Sequence, residues 1–144
     1  SVEYQCHEGY STTGVADGPR RFTQDCQSNG TFSSAETCEP CLCGPTPQVA
    51  DATFDIASVG KNLKYPEKLK YECNKGRTVT GKAEGAKEFT VACGSNGKLS
   101  KVEECRKVKC GTCTASSRLM PHARPVKESI KASMRYVGDT CTYQ

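Results

Sequence analysis

Two C-x-x-C pairs are the residues best spaced for chemistry: Cys-Glu-Pro-Cys at Cys38 to Cys41 and Cys-Gly-Thr-Cys at Cys110 to Cys113. One such pair can exchange electrons as a dithiol, and two can clasp a zinc ion. A redox pair needs a helix N-terminus in a βαβ setting to lower one thiol's pKa, and no such pattern flanks either pair. Zinc ribbons separate their pairs by about 15 to 20 residues, whereas 68 residues lie between Cys41 and Cys110. The two histidines, His7 and His122, fall in no nucleophile–base arrangement, and no Gly-rich phosphate loop, EF-hand run or paired-carboxylate motif is present. The sequence therefore points to a non-enzyme with no catalytic, cofactor-binding or metal site.

The cysteines have a second possible use, as structural bridges. Eleven of them in 144 residues indicate an oxidising, extracellular compartment, secreted or cell-surface. Hydrophobic residues make up 35%, Trp is absent, and Gly and Pro together number 20, which suits several small stapled cores better than one large one. No apolar run reaches the roughly 18 residues of a membrane span. With neither a signal peptide nor an initiator Met, the chain reads as a mature segment or a piece of something longer. Ser1 to Cys43 carries two basic and six acidic residues, a balance of −4; Gly44 to Lys109 stands at +5 and Cys110 to Gln144 at +3. Lysines mixed with Glu, without interleaved stacking aromatics, argue against nucleic acid as a partner.

The elements that must position these cysteines come twice. "VEYQCHEGY" at Val2 to Tyr10 is answered by "LKYECNKGR" at Leu69 to Arg77, and an offset of 67 carries Cys6, Cys26, Cys38 and Cys43 onto Cys73, Cys93, Cys105 and Cys110 without a gap. "CQSNGTFSSAETC" from Cys26 likewise answers "CGSNGKLSKVEEC" from Cys93. Ser-Asn-Gly marks a tight turn, and runs such as "LKYEC" and "EFTVAC" alternate as half-buried strands do. Only Arg124 to Val137 carries a helical period, with Val126, Ile130, Met134 and Val137 recurring, so a short helix there competes with strand or loop.

This pattern resembles the sushi module, also called the complement control protein module or short consensus repeat. The resemblance rests on a cysteine after Tyr-x, Gly-Tyr or Gly-Arg beyond it, a third cysteine, an Asn-Gly turn followed by an apolar residue, a fourth cysteine and then Cys-Gly. It implies an all-β fold of tandem, small, disulfide-stapled β-sandwich modules in an elongated string. It also implies first-to-third and second-to-fourth bonding: Cys43 with Cys93, Cys73 with Cys105, and Cys6 with Cys38. The module limits are then 1–42 (a C-terminal part), 43–109 (a complete module) and 110–144 (an N-terminal part). The family's Trp before the fourth cysteine is replaced by Phe32 and Leu99, which marks a divergent branch leaning harder on its bridges.

Five cysteines stay outside those three bonds. Cys26 lacks a first cysteine and Cys110 a third, so the sequence suggests that a neighbouring copy or an adjacent module completes each part head-to-tail, with Cys26 bonded to Cys110 across the junction. Cys113 and Cys141 are candidates for an additional bridge. Cys41 is then left over, as a free or intermolecular thiol. Asn29, in Asn-Gly-Thr, is a candidate site for an N-linked glycan, whereas the equivalent Asn96 precedes Gly-Lys and is not. The function expected is a non-catalytic extracellular structural subunit assembling into an array or fibre. The alternative is a recognition or adhesion module of a receptor, adhesin or complement-regulator-like protein.

Overall fold

A computed structural model describes residues 1–111 and 135–139. The described strands are β1 (Val2–Gln5), β2 (Tyr10–Ser11), β3 (Arg21–Gln24), β4 (Glu39–Pro40), β5 (Leu42–Pro45), β6 (Ala52–Phe54), β7 (Asn62–Lys64), β8 (Lys68–Cys73), β9 (Arg77–Thr78), β10 (Glu88–Ala92), β11 (Arg106–Lys107), β12 (Lys109–Gly111) and β13 (Arg135–Tyr136). One 3-10 turn, Ile56–Ser58, is the only helical element among the described residues. A three-stranded sheet runs β10-β8-β6, and the remaining strands pair two by two as β1-β3, β2-β4, β5-β7, β9-β11 and β12-β13. The fold is all-β and disulfide-stapled. Of the segment with helical periodicity, residues 124–134 lie outside the described residues. At its C-terminal end the strand alternative holds, because Tyr136 and Arg135 pair with Lys109 and Gly111.

The chain divides into two compact units. One comprises Ser1–Gln48, Phe54–Tyr71 and Thr90–Val102, and its core gathers Leu63, Leu69, Tyr71 and Val91 beside the Cys43–Cys93 bridge. The alternation read in "LKYEC" places Leu69, Tyr71 and Cys73 inward and Lys68, Lys70 and Glu72 outward on β8. Tyr71 is fully buried; its ring lies 4.9 Å from that of Phe54, and its hydroxyl donates to the Pro47 carbonyl at 2.7 Å. Cys6–Cys38 staples the same unit. The second unit, Val49–Thr53, Glu72–Phe89 and Glu103–Gln144, is held by Cys73–Cys105, by buried Thr78, and by Arg77 paired with Asp51 at 3.1 Å. The three bridges hold their Cα atoms 5.6, 5.6 and 5.5 Å apart, within the ordinary range for cystines.

The sequence repeat is also a hydrogen-bond repeat at the same offset. Cys6 N–H donates to Arg20 O and Cys73 N–H to Lys87 O, at 2.7 and 2.8 Å. Ser11 Oγ donates to Val15 O and Thr78 Oγ1 to Lys82 O, both at 2.8 Å. Each Ser-Asn-Gly closes in the same way, with Asn29 Oδ1 accepting from Thr31 N–H at 3.0 Å and Asn96 Oδ1 from Lys98 N–H at 3.1 Å.

Burial holds the Tyr71 phenol above its ordinary value of 10.0. The folded chain keeps a proton that the unfolded chain releases, so this contribution is full below about pH 10 and is lost as pH rises through the higher folded value. Tyr71→Phe should remove that alkaline slope while costing about 1 kcal/mol near neutrality for the missing hydrogen bond. Denaturant unfolding of both proteins across the alkaline range measures it, and parallel pH profiles would contradict the assignment.

Candidate functional site

The described residues hold no group of three or more His, Cys, Asp or Glu placed around a metal ion. Their most organised feature is a joint where one repeat hands over to the next, and it is built twice from equivalent residues. At the first joint Cys41 N–H donates to Gly9 O at 2.8 Å, Leu42 N–H to Gly14 O at 2.9 Å, and Tyr65 N–H to Cys41 O at 2.9 Å. At the second, Val108 N–H donates to Gly76 O at 3.0 Å, Lys109 N–H to Gly81 O at 3.0 Å, and Val137 N–H to Val108 O at 2.9 Å. β5 and β7 pair through an irregularity at Leu42/Gly44, and β12 and β13 through one at Lys109/Gly111.

Each joint has a glycine notch and an apolar knob. Gly9, at φ +81°, lies directly under the Tyr65 ring, which stands edge-on to Tyr10 at 6.0 Å. Gly76, at φ +80°, lies under Val137, where an added Cβ would stand 2.6 Å from Cγ1. A side chain fails at either glycine twice over, through its backbone angle and through the knob. The first joint has a further contact, from the Ser-Asn-Gly turn of the middle repeat. Ser95 Oγ lies 2.8 Å from Glu8 Oε1, and a Cβ on Gly97 would stand 2.7 Å from that of Ala16.

The leftover cysteine belongs to this joint. Cys41 is unbonded in this chain and fully buried. Cys41 takes the place that the half-buried Val108 takes in the next repeat, one suited to a small apolar side chain. Cys38, its C-x-x-C neighbour, is bonded to Cys6. Cys26 and Cys110 are both unbonded and exposed. Cys113, Cys141 and the bridge suggested between them lie outside the described residues, as does His122; His7 is exposed. Asn29 is exposed on its turn, and its Oδ1 also accepts from Thr31 Oγ1 at 2.7 Å. Sequence reasoning missed the notch, although Gly9 and Gly76 stood in register in the quoted repeat.

Gly9→Val should destabilise the first joint by about 1 to 3 kcal/mol through overpacking, read as a lower midpoint in denaturant. Cys41→Val should fold with little loss. In the isolated, unlinked chain, thiol-reactive dye should label Cys26 and Cys110 promptly and Cys41 only on unfolding; prompt labelling of Cys41 would refute its burial.

Residues 1–41 match the family model described as "Sushi repeat (SCR repeat)". The chain is 27% identical over 113 residues to beta-2-glycoprotein 1 of Homo sapiens, an alignment covering 76% of this chain and 29% of that protein. It is 33% identical over 110 residues to the Rattus norvegicus protein named sushi, von Willebrand factor type A, EGF and pentraxin domain-containing protein 1, covering 76% of this chain and 3% of that one. The chain thus spans under a third of the length of these curated relatives. With the cystine frame described above, these matches show that the chain belongs to the sushi, or complement control protein, family, whose setting is secreted or at the cell surface.

Proposed function

We propose that this chain is a non-catalytic structural link of an extracellular array, in which modules with limits at 1–42, 43–109 and 110–144 complete one another head-to-tail. One observation carries the reading. Cys93 and Cys43 are bonded to each other, while Cys26 and Cys110, one repeat earlier and one repeat later, are both exposed and unbonded. A bond from Cys26 of one copy to Cys110 of the next would recreate the Cys43–Cys93 staple. Charge supports the same direction, because the Ser1 to Cys43 stretch at −4 would meet the Cys110 to Gln144 stretch at +3. Screening over about 8 Å at physiological salt limits this attraction to steering, so the covalent bond and the buried joint must supply the strength.

The second reading, a recognition or adhesion module within a larger receptor or regulator-like protein, is favoured by the relatives, whose lengths far exceed the matched part. Peptide mapping of native material without reduction separates the two. The first reading expects a Cys26–Cys110 linkage between chains, regular filaments by electron microscopy, and loss of both in Cys26→Ser. Free thiols at both positions together with monodisperse particles would overturn it in favour of the second. The exposed Asn29 turn supports an N-linked glycan in either case. Enzymatic deglycosylation should convert Asn29 to Asp in protein from its native source, and an unmodified Asn29 would remove that claim alone.

A further inference from the structure

The joints differ in one respect. In the first, the notch is covered: Gly9 is buried and Ala16 half-buried beneath the Ser95–Gly97 turn and Tyr65. In the second, Val137 lies against Gly76, yet Gly76 is only half-buried and Ala83, the repeat of Ala16, is exposed; Lys75, like its repeat Glu8, is exposed. Lys75 and Ala83 line a cavity of about 380 Å³ with Glu72, Gly76, Arg77 and Val108. Meanwhile the repeat of the covering turn, Ser28-Asn29-Gly30, is itself exposed, and a Cβ on Gly30 would meet nothing within 4 Å. Among the described residues, therefore, one chain carries a socket with no turn seated in it and an exposed plug of the same design.

We propose that the Lys75–Ala83 notch is a docking site for the Ser28–Gly30 turn of a second copy of this chain. The contact would repeat the one already made inside the first joint. Gly30, at φ +81°, would lie against Ala83 as Gly97, at φ +70°, lies against Ala16, a closeness that only glycine allows. Ser28 Oγ would accept from Lys75 Nζ where Ser95 Oγ meets the carboxylate of Glu8, since a hydroxyl serves either role. Charge fits as well: Lys75 and Lys87 outnumber Glu72 in the lining, with Arg77 already paired to Asp51, and the stretch that bears the turn has a net charge of −4. A sugar on Asn29 is compatible with docking, because Asn96 stays exposed while the residues on either side of it are half-buried in the occupied joint.

The inference rests on the head-to-tail reading but is tested without its disulfide. In the Cys26→Ser, Cys110→Ser protein, sedimentation should show concentration-dependent self-association. Ala83→Leu, at an exposed position, should weaken it about tenfold or more by overfilling the notch, with the unfolding midpoint unchanged. Lys75→Glu should weaken it and Ser28→Lys in the same chain should restore it, a coupling that a folding defect does not produce. A monomer at every accessible concentration, or association indifferent to Ala83→Leu and Lys75→Glu, overturns the docking site. Absence of a Cys26–Cys110 bond in native material, with the Ala83 and Lys75 effects intact, overturns the covalent link and leaves the docking site standing.

Discussion

A shortage of apolar material governs this molecule, and the cystine is its answer. Leu63, Leu69, Tyr71 and Val91 are the buried large apolar side chains among the described residues, too few to hold the chain without covalent help. Cys6–Cys38 and Cys73–Cys105 each close 32 residues, and Cys43–Cys93 closes 50. Loops of that size remove roughly 3 to 4 kcal/mol apiece of unfolded-chain freedom. The strands themselves can then be only two to six residues long.

Because the bridges carry the stability, the backbone between them is free to specialise, and the joint shows how. Its glycines hold positive φ and admit a knob, so the handover between repeats is fixed by steric fit and three backbone hydrogen bonds. The knob changes from Tyr65 to Val137 and the small apolar residue from Cys41 to Val108, yet the bonds keep their lengths to within 0.2 Å. Backbone groups, with any small apolar filling, define the device. Side-chain identity is thereby released to set charge, which reverses between Glu8 and Lys75.

Much of this was legible in the sequence, and the reason is periodic. An offset of 67 tied cysteines, turns and strand runs together, so an error at one copy was corrected by the other. The Ser-Asn-Gly turns and the inward face of β8 needed only local physics. The joint was not legible, because Gly9 and Tyr65 are 56 residues apart in the chain and neither position is unusual in isolation. The burial of Cys41 was not legible for a related reason. Counting cysteines says only that one is left unpaired, and its surroundings follow from the fold. The helical period of Arg124 to Val137 was a weaker signal than the strand pairing of its last residues.

The sealing of Cys41 also has a kinetic side. A free thiol among cystines is the natural agent of their rearrangement, attacking a bridge and leaving a mixed disulfide. Here the Cys41 backbone lies beside a bridge, for Cys93 Sγ, one half of the Cys43–Cys93 cystine, is 3.7 Å from the Cys41 carbonyl oxygen. Cys41 is fully buried, so the folded joint withholds it from solvent. Bridge fidelity in the first joint therefore depends on Cys41 staying covered: an opening that exposed it would set a free thiol beside a cystine.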